Sequence, residues 1–283
     1  MMKNVKVFYW LGEPNFGDLL NINICHSLFG VNPVETSPEE CEAVFIGSVL
    51  DDFLYGKIFK TRDYYDLYKK QPIKIWGSGF IADKNQFIRR KFFLPEIYFR
   101  RIEVYAVRGN LSLHRLKKIA NIEPNNNNIL ADPGLLSSLL IKENIAKKYK
   151  YGVIPHHSEL DMKIWECFKN RDDTLLIRVD NTNPLETIRK IAECENIFSS
   201  ALHGLIVADA FGIPNCRLIA SNRLLGGNYK FLDYYSAYNI NRYTCIEVSE
   251  NYPMCLRELK SEYNISYEMV QQKQRELIES FPY

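Results

Sequence analysis

No stretch of the 283 residues approaches the roughly 20 consecutive apolar residues that a membrane-crossing helix requires. The opening MMKNVKVFYWLGEPNFGD has only a short apolar run before it meets Glu13 and Asp18, so no signal peptide is expected. Cysteine is sparse: Cys25, Cys41, Cys167, Cys194, Cys216, Cys245 and Cys255 make an odd count, irregularly spaced, with no CxxC. That excludes a disulfide framework and a cysteine-rich zinc site, and it fits reduced thiols in a cytoplasmic protein. Charge of one sign is also missing. Lys and Arg number 36 against 34 Asp and Glu, for a formal net charge of +2, and no basic block stands out. A nucleic-acid partner is therefore not expected. No internal repeat or long low-complexity tract is visible.

What is present is a globular composition, with 46% hydrophobic and 25% charged residues. A chain of this size can bury enough apolar surface to fold without staples, and its length suits two domains. Tyrosine (18) and phenylalanine (16) are plentiful. Their rings either stack on sugars or fill the core.

Short apolar runs alternate with helical patterns. Strands are expected at Lys6–Trp10, Ala43–Gly47, Ile73–Gly77 and Arg101–Val107, with helices from about Asp18 to Phe29 and over LSLHRLKKIA. The pattern pauses near residue 140, after a surface loop at Asn125–Asn128. A second series begins at YGVIPHH, with a helix over about Leu160–Phe168, a strand at Thr174–Val179 and a helix starting at Pro184 behind Asn and Thr. Strands follow at Asn196–Ser200 and Asn215–Ala220, with the apolar helix of SSALHGLIVADAFGIP between them. An amphipathic helix closes the chain at Ser266–Ser280. Alternation of this kind marks a parallel sheet with helices on both faces. The fold class expected is α/β, with two Rossmann-like domains facing a cleft, at 1–145 and 146–283. The sequence leaves open whether the last helix packs back on the first domain.

Ligands of open α/β sheets bind beyond the carboxyl ends of the strands. Polar residues directly after strands are therefore the site candidates. Asn15, Gly17 and Asp18 follow the first strand in a glycine-containing turn, where backbone N–H groups can meet an anion. Asp18 either bonds a sugar hydroxyl or caps its own helix. Gly77, Ser78 and Gly79 form a turn that lets a backbone approach a ligand, or simply turns. Arg108 follows VYAV, and its planar fork suits a carboxylate or phosphate, or an ion pair with a nearby acid. His156 and His157 are adjacent, so at most one is expected to face a ligand. No HxxxH or carboxylate partner accompanies them, and no metal is expected. Ser200 and His203 open a helix after a strand, where free N–H groups and the helix dipole favour an anion. Two readings of His203 stand: a proton donor beside a bound anion, or a helix-start residue bonded to backbone.

NFGD, WGSGF, VRGNLS, ADPGLL, GVIPHH, SSALHGLIVADAFGIP and YKFLDYY occur in order from Asn15 to Tyr235. Together they resemble the polysaccharide pyruvyl transferase family. The resemblance implies two Rossmann-like domains similar to the glycosyltransferase B fold. It also implies transfer of pyruvate from phosphoenolpyruvate to a sugar, giving a cyclic ketal, with no cofactor beyond that donor. It assigns His203 as general acid and Arg108 as donor-anion clamp, assisted by N–H groups at Ser200–His203. Asp18 and the Gly77–Gly79 loop are assigned to the acceptor, and His156 or His157 is a second acid or anion ligand. Two positions depart from the pattern. Ala201 stands where many members carry arginine, which leaves donor binding to other cations, and Gly109 stands where many carry an acidic residue.

The expected partners are phosphoenolpyruvate and a sugar acceptor. A lipid-linked acceptor would bring the protein to the inner face of the membrane without spanning it. A nucleotide-sugar glycosyltransferase of related fold and a non-catalytic sugar- or anion-binding protein are the competing readings.

Overall fold

The computed structural model describes residues 2–10, 12, 15–54, 56–57, 71–83, 94–95, 100–120, 122, 129–241, 243–248 and 256–283. The Asn125–Asn128 loop lies outside these residues, as do Leu11, Glu13 and Pro14 of the first loop and Cys255. Among the described residues Cys25, Cys167, Cys194, Cys216 and Cys245 are free thiols.

The first half carries β1 (Lys3–Val7), β2 (Val31–Glu35), β3 (Ala43–Val44), β4 (Gly56–Lys57), β5 (Ile73–Trp76), β6 (Leu94–Pro95), β7 (Ile102–Val107) and β8 (Ile129–Leu130). Six of them form a parallel sheet in the order β2-β1-β3-β5-β7-β8, while β4 and β6 make a separate antiparallel ladder. The second half carries β9 (Tyr149–Ile154), β10 (Thr174–Leu176), β11 (Cys194–Ser199), β12 (Asn215–Ile219) and β13 (Cys245–Glu247), parallel in the order β10-β9-β11-β12-β13. Helices α1 (Phe16–Phe29), α2 (Asn110–Ile119), α3 (Pro184–Ala192), α4 (Leu202–Ala210), α5 (Tyr229–Ser236) and α6 (Tyr267–Glu279) complete the plan. This is the two-sheet Rossmann-like architecture expected from the alternation.

Two local expectations are corrected. The strand expected at Ala43–Gly47 stops at Val44, because Ile46 N donates to Asn21 Oδ1 at 3.0 Å instead of continuing the ladder. The helix expected over Leu160–Phe168 is two 3-10 turns, His157–Glu159 and Lys163–Phe168. Buried Glu159 is pinned by Ser221 Oγ at 2.5 Å, and Trp165 Nε1 donates back to Glu159 O at 2.6 Å, so the chain doubles on itself there. Strand β2 escaped sequence reading because Pro33 interrupts it; as an edge strand paired only with β1 it tolerates the missing donor.

Alternation along the strands sets the layers. Phe8, Val44, Ile75 and Val104 fill a core in the first half, against which Tyr229 of the second half packs. Val153, Trp165, Phe198 and Leu218 fill one private to the second. The third core is shared: Val7, Leu20, Ile24, Leu135, Ile154, Leu205 and Ile206 belong to one cluster. The halves are thus packed through apolar side chains, and Phe16 N donates to Val179 O at 3.0 Å across the join. Helix α6, capped by Ser266, crosses to the first half. Gln274 Nε2 donates to Leu135 O at 2.7 Å, Trp76 Nε1 donates to Leu277 O at 3.1 Å, and Phe281 stacks on Phe29 at 3.8 Å.

Candidate active site

Strand β11 and helix α4 are joined by a two-residue turn that fixes His203. Ser200 N donates to Ile154 O at 3.0 Å, and Ala201 N donates to Ser199 Oγ at 3.0 Å. Two of the N–H groups expected to serve an anion at Ser200–His203 are therefore used by the fold. Ser200 Oγ accepts from His156 N at 2.8 Å, which ties the end of β9 to the same turn. The His203 side chain, 13% exposed, projects from the first turn of α4 toward the first half. A Cβ placed on Gly17 would overlap the ring at Nδ1, far inside the 3.0 Å that real Cβ contacts keep. One placed on Gly134 would meet His203 Cδ2 at 3.4 Å. The ring is thus held between two glycines of the first half. Its Nε2 is buried, has no hydrogen-bond partner, and lies 3.8 Å from Asp132 Oδ2.

The turn after β1 does not present its amides to the cleft. Gly17 N donates to Asn15 Oδ1 at 3.1 Å, Phe16 N to Val179 O, and Leu19 N to Asn15 O. Asn15 is the helix cap, and its Nδ2 also donates to Asp18 Oδ2 at 2.7 Å. The Gly77–Gly79 loop is likewise absorbed by the fold. Gly77 N donates to Ala106 O, Ser78 Oγ to Gly47 O and Gly79 N to Gly47 O. A Cβ on Gly77, whose φ is +93°, would overlap Pro133, and one on Gly79 would meet the Arg108 guanidinium. Close packing requires a glycine at both positions.

Arg108 is wholly buried, which corrects its reading as a free donor clamp. Its Nε donates to Asp233 Oδ2 at 2.9 Å, Nη1 to Ser48 Oγ at 2.5 Å, and Nη2 to Phe80 O. Asp233 also accepts from Ser112 N and Ser112 Oγ. Arg108 therefore supplies a fixed positive field and joins β7 to α5. His156 and His157 do not diverge as expected for neighbours: their rings lie 4.1 Å apart.

Two cations of the cluster have no ion pair among the described residues: Arg217, whose buried Nε has no hydrogen-bond partner, and Lys230, second residue of α5. Lys230 is buried and has one hydrogen-bond partner, His156 Nε2 at 3.3 Å. Burial, with Arg108 and Arg217 nearby, lowers its pKa to about 8, against the pull of Asp18 and Glu159. Burial, then Lys230, His157 and His203, lower His156 to about 2. His156 caps the turn that follows it: its Nδ1 accepts from Ser158 N at 3.3 Å and lies 2.9 Å from Ser158 Oγ, while Nε2 faces the Lys230 ammonium. Burial, then Arg108 and Lys230, lower His203 to about 3, so its ring is neutral near pH 7. Asp18 moves the other way. Burial raises it to about 7, opposed by Lys230 and reinforced by Asp132. Arg217 lies over the Phe231 ring at 3.7 Å, bonded to Asn228 Oδ1 and to the Tyr243 hydroxyl.

One family, described as polysaccharide pyruvyl transferase, matches residues 13–222 of the sequence. The chain belongs to that family. It is also similar to an uncharacterized protein of Acanthamoeba polyphaga mimivirus, 32% identical over 256 residues that cover 85% of this chain and 76% of that one. Among solved structures it is similar to an uncharacterized protein of Klebsiella pneumoniae subsp. pneumoniae NTUH-K2044. That match has 18% identity and a TM-score of 0.44, covering 87% of this chain and 93% of that chain.

Membership places these residues within a family defined by sugar-polymer chemistry, and two that matter were not among the sequence candidates. Asp132 lies in ADPGLL and Lys230 in YKFLDYY, both stretches that carry the resemblance, but neither follows a long strand, the test by which candidates were chosen. Lys230 lies beyond the matched residues. Among the described residues no group of three or more His, Cys, Asp or Glu could hold a metal ion, and no helix is long and apolar enough to cross a membrane.

Proposed function

We propose that the protein transfers the pyruvyl group of phosphoenolpyruvate to two hydroxyls of a hexose, in a polysaccharide or its lipid-linked precursor. The products are a cyclic ketal and phosphate. Family membership supports the reaction type. The observation that carries the assignment of the site is the grouping of His203, a neutral ring on the first turn of α4, with Lys230, a buried lysine that makes no ion pair among the described residues and whose charge acts on that ring.

Phosphoenolpyruvate brings a carboxylate and a phosphate. Lys230 binds them, Arg217 is a second cation without a carboxylate partner among the described residues, and Arg108 adds positive field from its ion pair with Asp233. In this way Lys230 takes the part of the arginine missing at Ala201. The donor's negative charge opposes the field of Arg108 and Lys230 that holds His203 neutral, and so raises the proton affinity of the ring. His203 then gives a proton to the methylene carbon of the donor. The C=C π pair forms the new C–H bond, leaving an oxocarbenium centre at the adjacent carbon. One acceptor hydroxyl attacks that carbon and releases its proton to a base. Phosphate leaves with the electrons of its C–O bond, and the second hydroxyl closes the ketal as it loses its own proton. Asp18, raised to about 7, is the carboxylate suited to take a hydroxyl proton near neutral pH. The reaction needs no redox cofactor, because donor and ketal have the same oxidation level. A lipid-linked acceptor would draw the protein to the cytoplasmic membrane face.

The test is phosphate release from phosphoenolpyruvate across a panel of aryl and lipid-linked hexosides. Release that depends on the hexoside supports the reading, with kcat falling by about 10²–10⁴ in His203→Gln. Absence of release across the panel, together with no saturable binding of phosphoenolpyruvate, overturns it. Full kcat in His203→Gln removes the acid role alone.

A further inference from the structure

Asp132 sits between β8 and the 3-10 helix Pro133–Leu140, fully buried. One carboxylate oxygen serves the fold, since Oδ1 accepts from Gly134 N at 2.9 Å and caps that helix. The other does not. Oδ2 is buried without a hydrogen-bond partner, and so is the ring nitrogen that faces it, His203 Nε2, at 3.8 Å. A cap needs only one oxygen, and serine or asparagine would supply it without burying a charge. A second buried oxygen left unpaired is destabilising by about 1–3 kcal/mol or more. The gap is also too short for water. Two hydrogen bonds of about 2.8 Å meeting at a tetrahedral water hold their ends roughly 4.5 Å apart. Pairing the two with each other satisfies both.

We infer that Asp132 is a positioning residue for His203: its Oδ2 accepts the Nε2 proton of the ring, keeps Nδ1 toward the Gly17 loop, and steadies the ring when it carries two protons. The inference rests on the proposed acid role of His203. Asp132 never touches the donor. The cap through Oδ1 fixes the carboxylate plane, and Gly17 and Gly134 fix the ring from either side, so the pair needs an approach of only about 1 Å to bond. Other groups share the site. The ring also faces Arg108, Lys230 and His156, while Asp132 faces Arg108, Asp233, Asp18 and Tyr238. Arg108 and Lys230 disfavour a charged ring, and Asp132, 3.8 Å away, is a carboxylate placed to oppose them.

The readout is the tautomer of His203, observed by long-range proton–nitrogen NMR on protein labelled at histidine. The wild type is expected to carry its proton on Nε2. Asp132→Asn keeps an oxygen for the Gly134 cap but turns an N–H toward His203, which should move the ring proton to Nδ1. Its kcat should fall at least about 10²-fold, with KM for phosphoenolpyruvate changed less than about threefold. Asp132→Ser also keeps a cap oxygen and removes the group facing the ring, so it should lose kcat in the same way. A wild-type ring protonated on Nδ1 overturns the pairing without any variant. So does an unchanged tautomer and kcat in the two variants. A tautomer that moves in a protein that never releases phosphate upholds the pairing and overturns the proposed reaction instead.

Discussion

Gly17→Ala should weaken the protein at a position where helix propensity argues the reverse. Gly17 is the second residue of α1, and alanine there is ordinarily favoured by up to about 1 kcal/mol. The His203 ring changes the sign. An alanine Cβ would overlap Nδ1, Cγ and Cε1, and the ring cannot swing away freely. Beyond it lies Gly134, whose own Cβ position is 3.4 Å from His203 Cδ2 and 3.0 Å from Ile206 Cγ2. Relief therefore requires a shift of about 1 Å in the ring or in the join between the halves, and overpacking of this kind costs about 1–3 kcal/mol. The net expectation is destabilisation of about 1 kcal/mol in urea unfolding. The larger effect is on turnover, since a displacement of that size costs about 10²-fold in rate. The same substitution in a His203→Ala background meets an empty space and should be neutral or stabilising. Equal effects of Gly17→Ala in the two backgrounds, or wild-type phosphate release in the single variant, would refute the contact between Gly17 and the ring.

Other outcomes follow from the same charges. kcat, which reads the donor-bound protein, should show an acid limb as Asp18 ionises near pH 7, and donor affinity an alkaline limb as Lys230 loses its proton near pH 8; profiles flat from about pH 5 to about pH 9 contradict this. Asp18→Asn should abolish the acid limb and Lys230→Arg should carry the alkaline limb upward. Lys230→Met should weaken phosphoenolpyruvate binding by about 10- to 100-fold in calorimetry, the loss of one charged contact, while wild-type affinity would remove Lys230 from the donor site. Asp233→Asn leaves Arg108 buried without its counter-ion and should cost about 3–5 kcal/mol in urea unfolding, with a loss under about 1 kcal/mol showing that the ion pair is not the tie it resembles.

The fold was largely legible because its signals are local. Runs such as Ile73–Trp76 and Ile102–Val107 are apolar and short, and Pro184 and Ser266 mark helix starts in the chain itself, while the first helix, read from about Asp18, starts at Phe16 behind an Asn15 cap. Where a side chain from elsewhere intervened, the reading failed: Asn21 ended β3 early, and Ser221 with Trp165 broke the helix expected before Phe168. The site divides in the same way. His203 was found because it follows a strand, a position sequence can show. Arg108 follows a strand too, yet its partner Asp233 lies 125 residues away, so nothing local distinguished a buried ion pair from an open clamp. Lys230 and Asp132 owe their importance to what they lack, and a missing partner is visible only when the whole cleft is assembled.

The proposed chemistry stands or falls on whether this cleft moves a pyruvyl group from phosphoenolpyruvate to a sugar. The direct measurement is mass spectrometry of a hexoside after incubation with the protein and phosphoenolpyruvate. A hexoside heavier by one pyruvate less one water, formed in step with phosphate and lost in His203→Gln, is the predicted result. An unchanged hexoside, or phosphate released at the same rate without any sugar present, would contradict it.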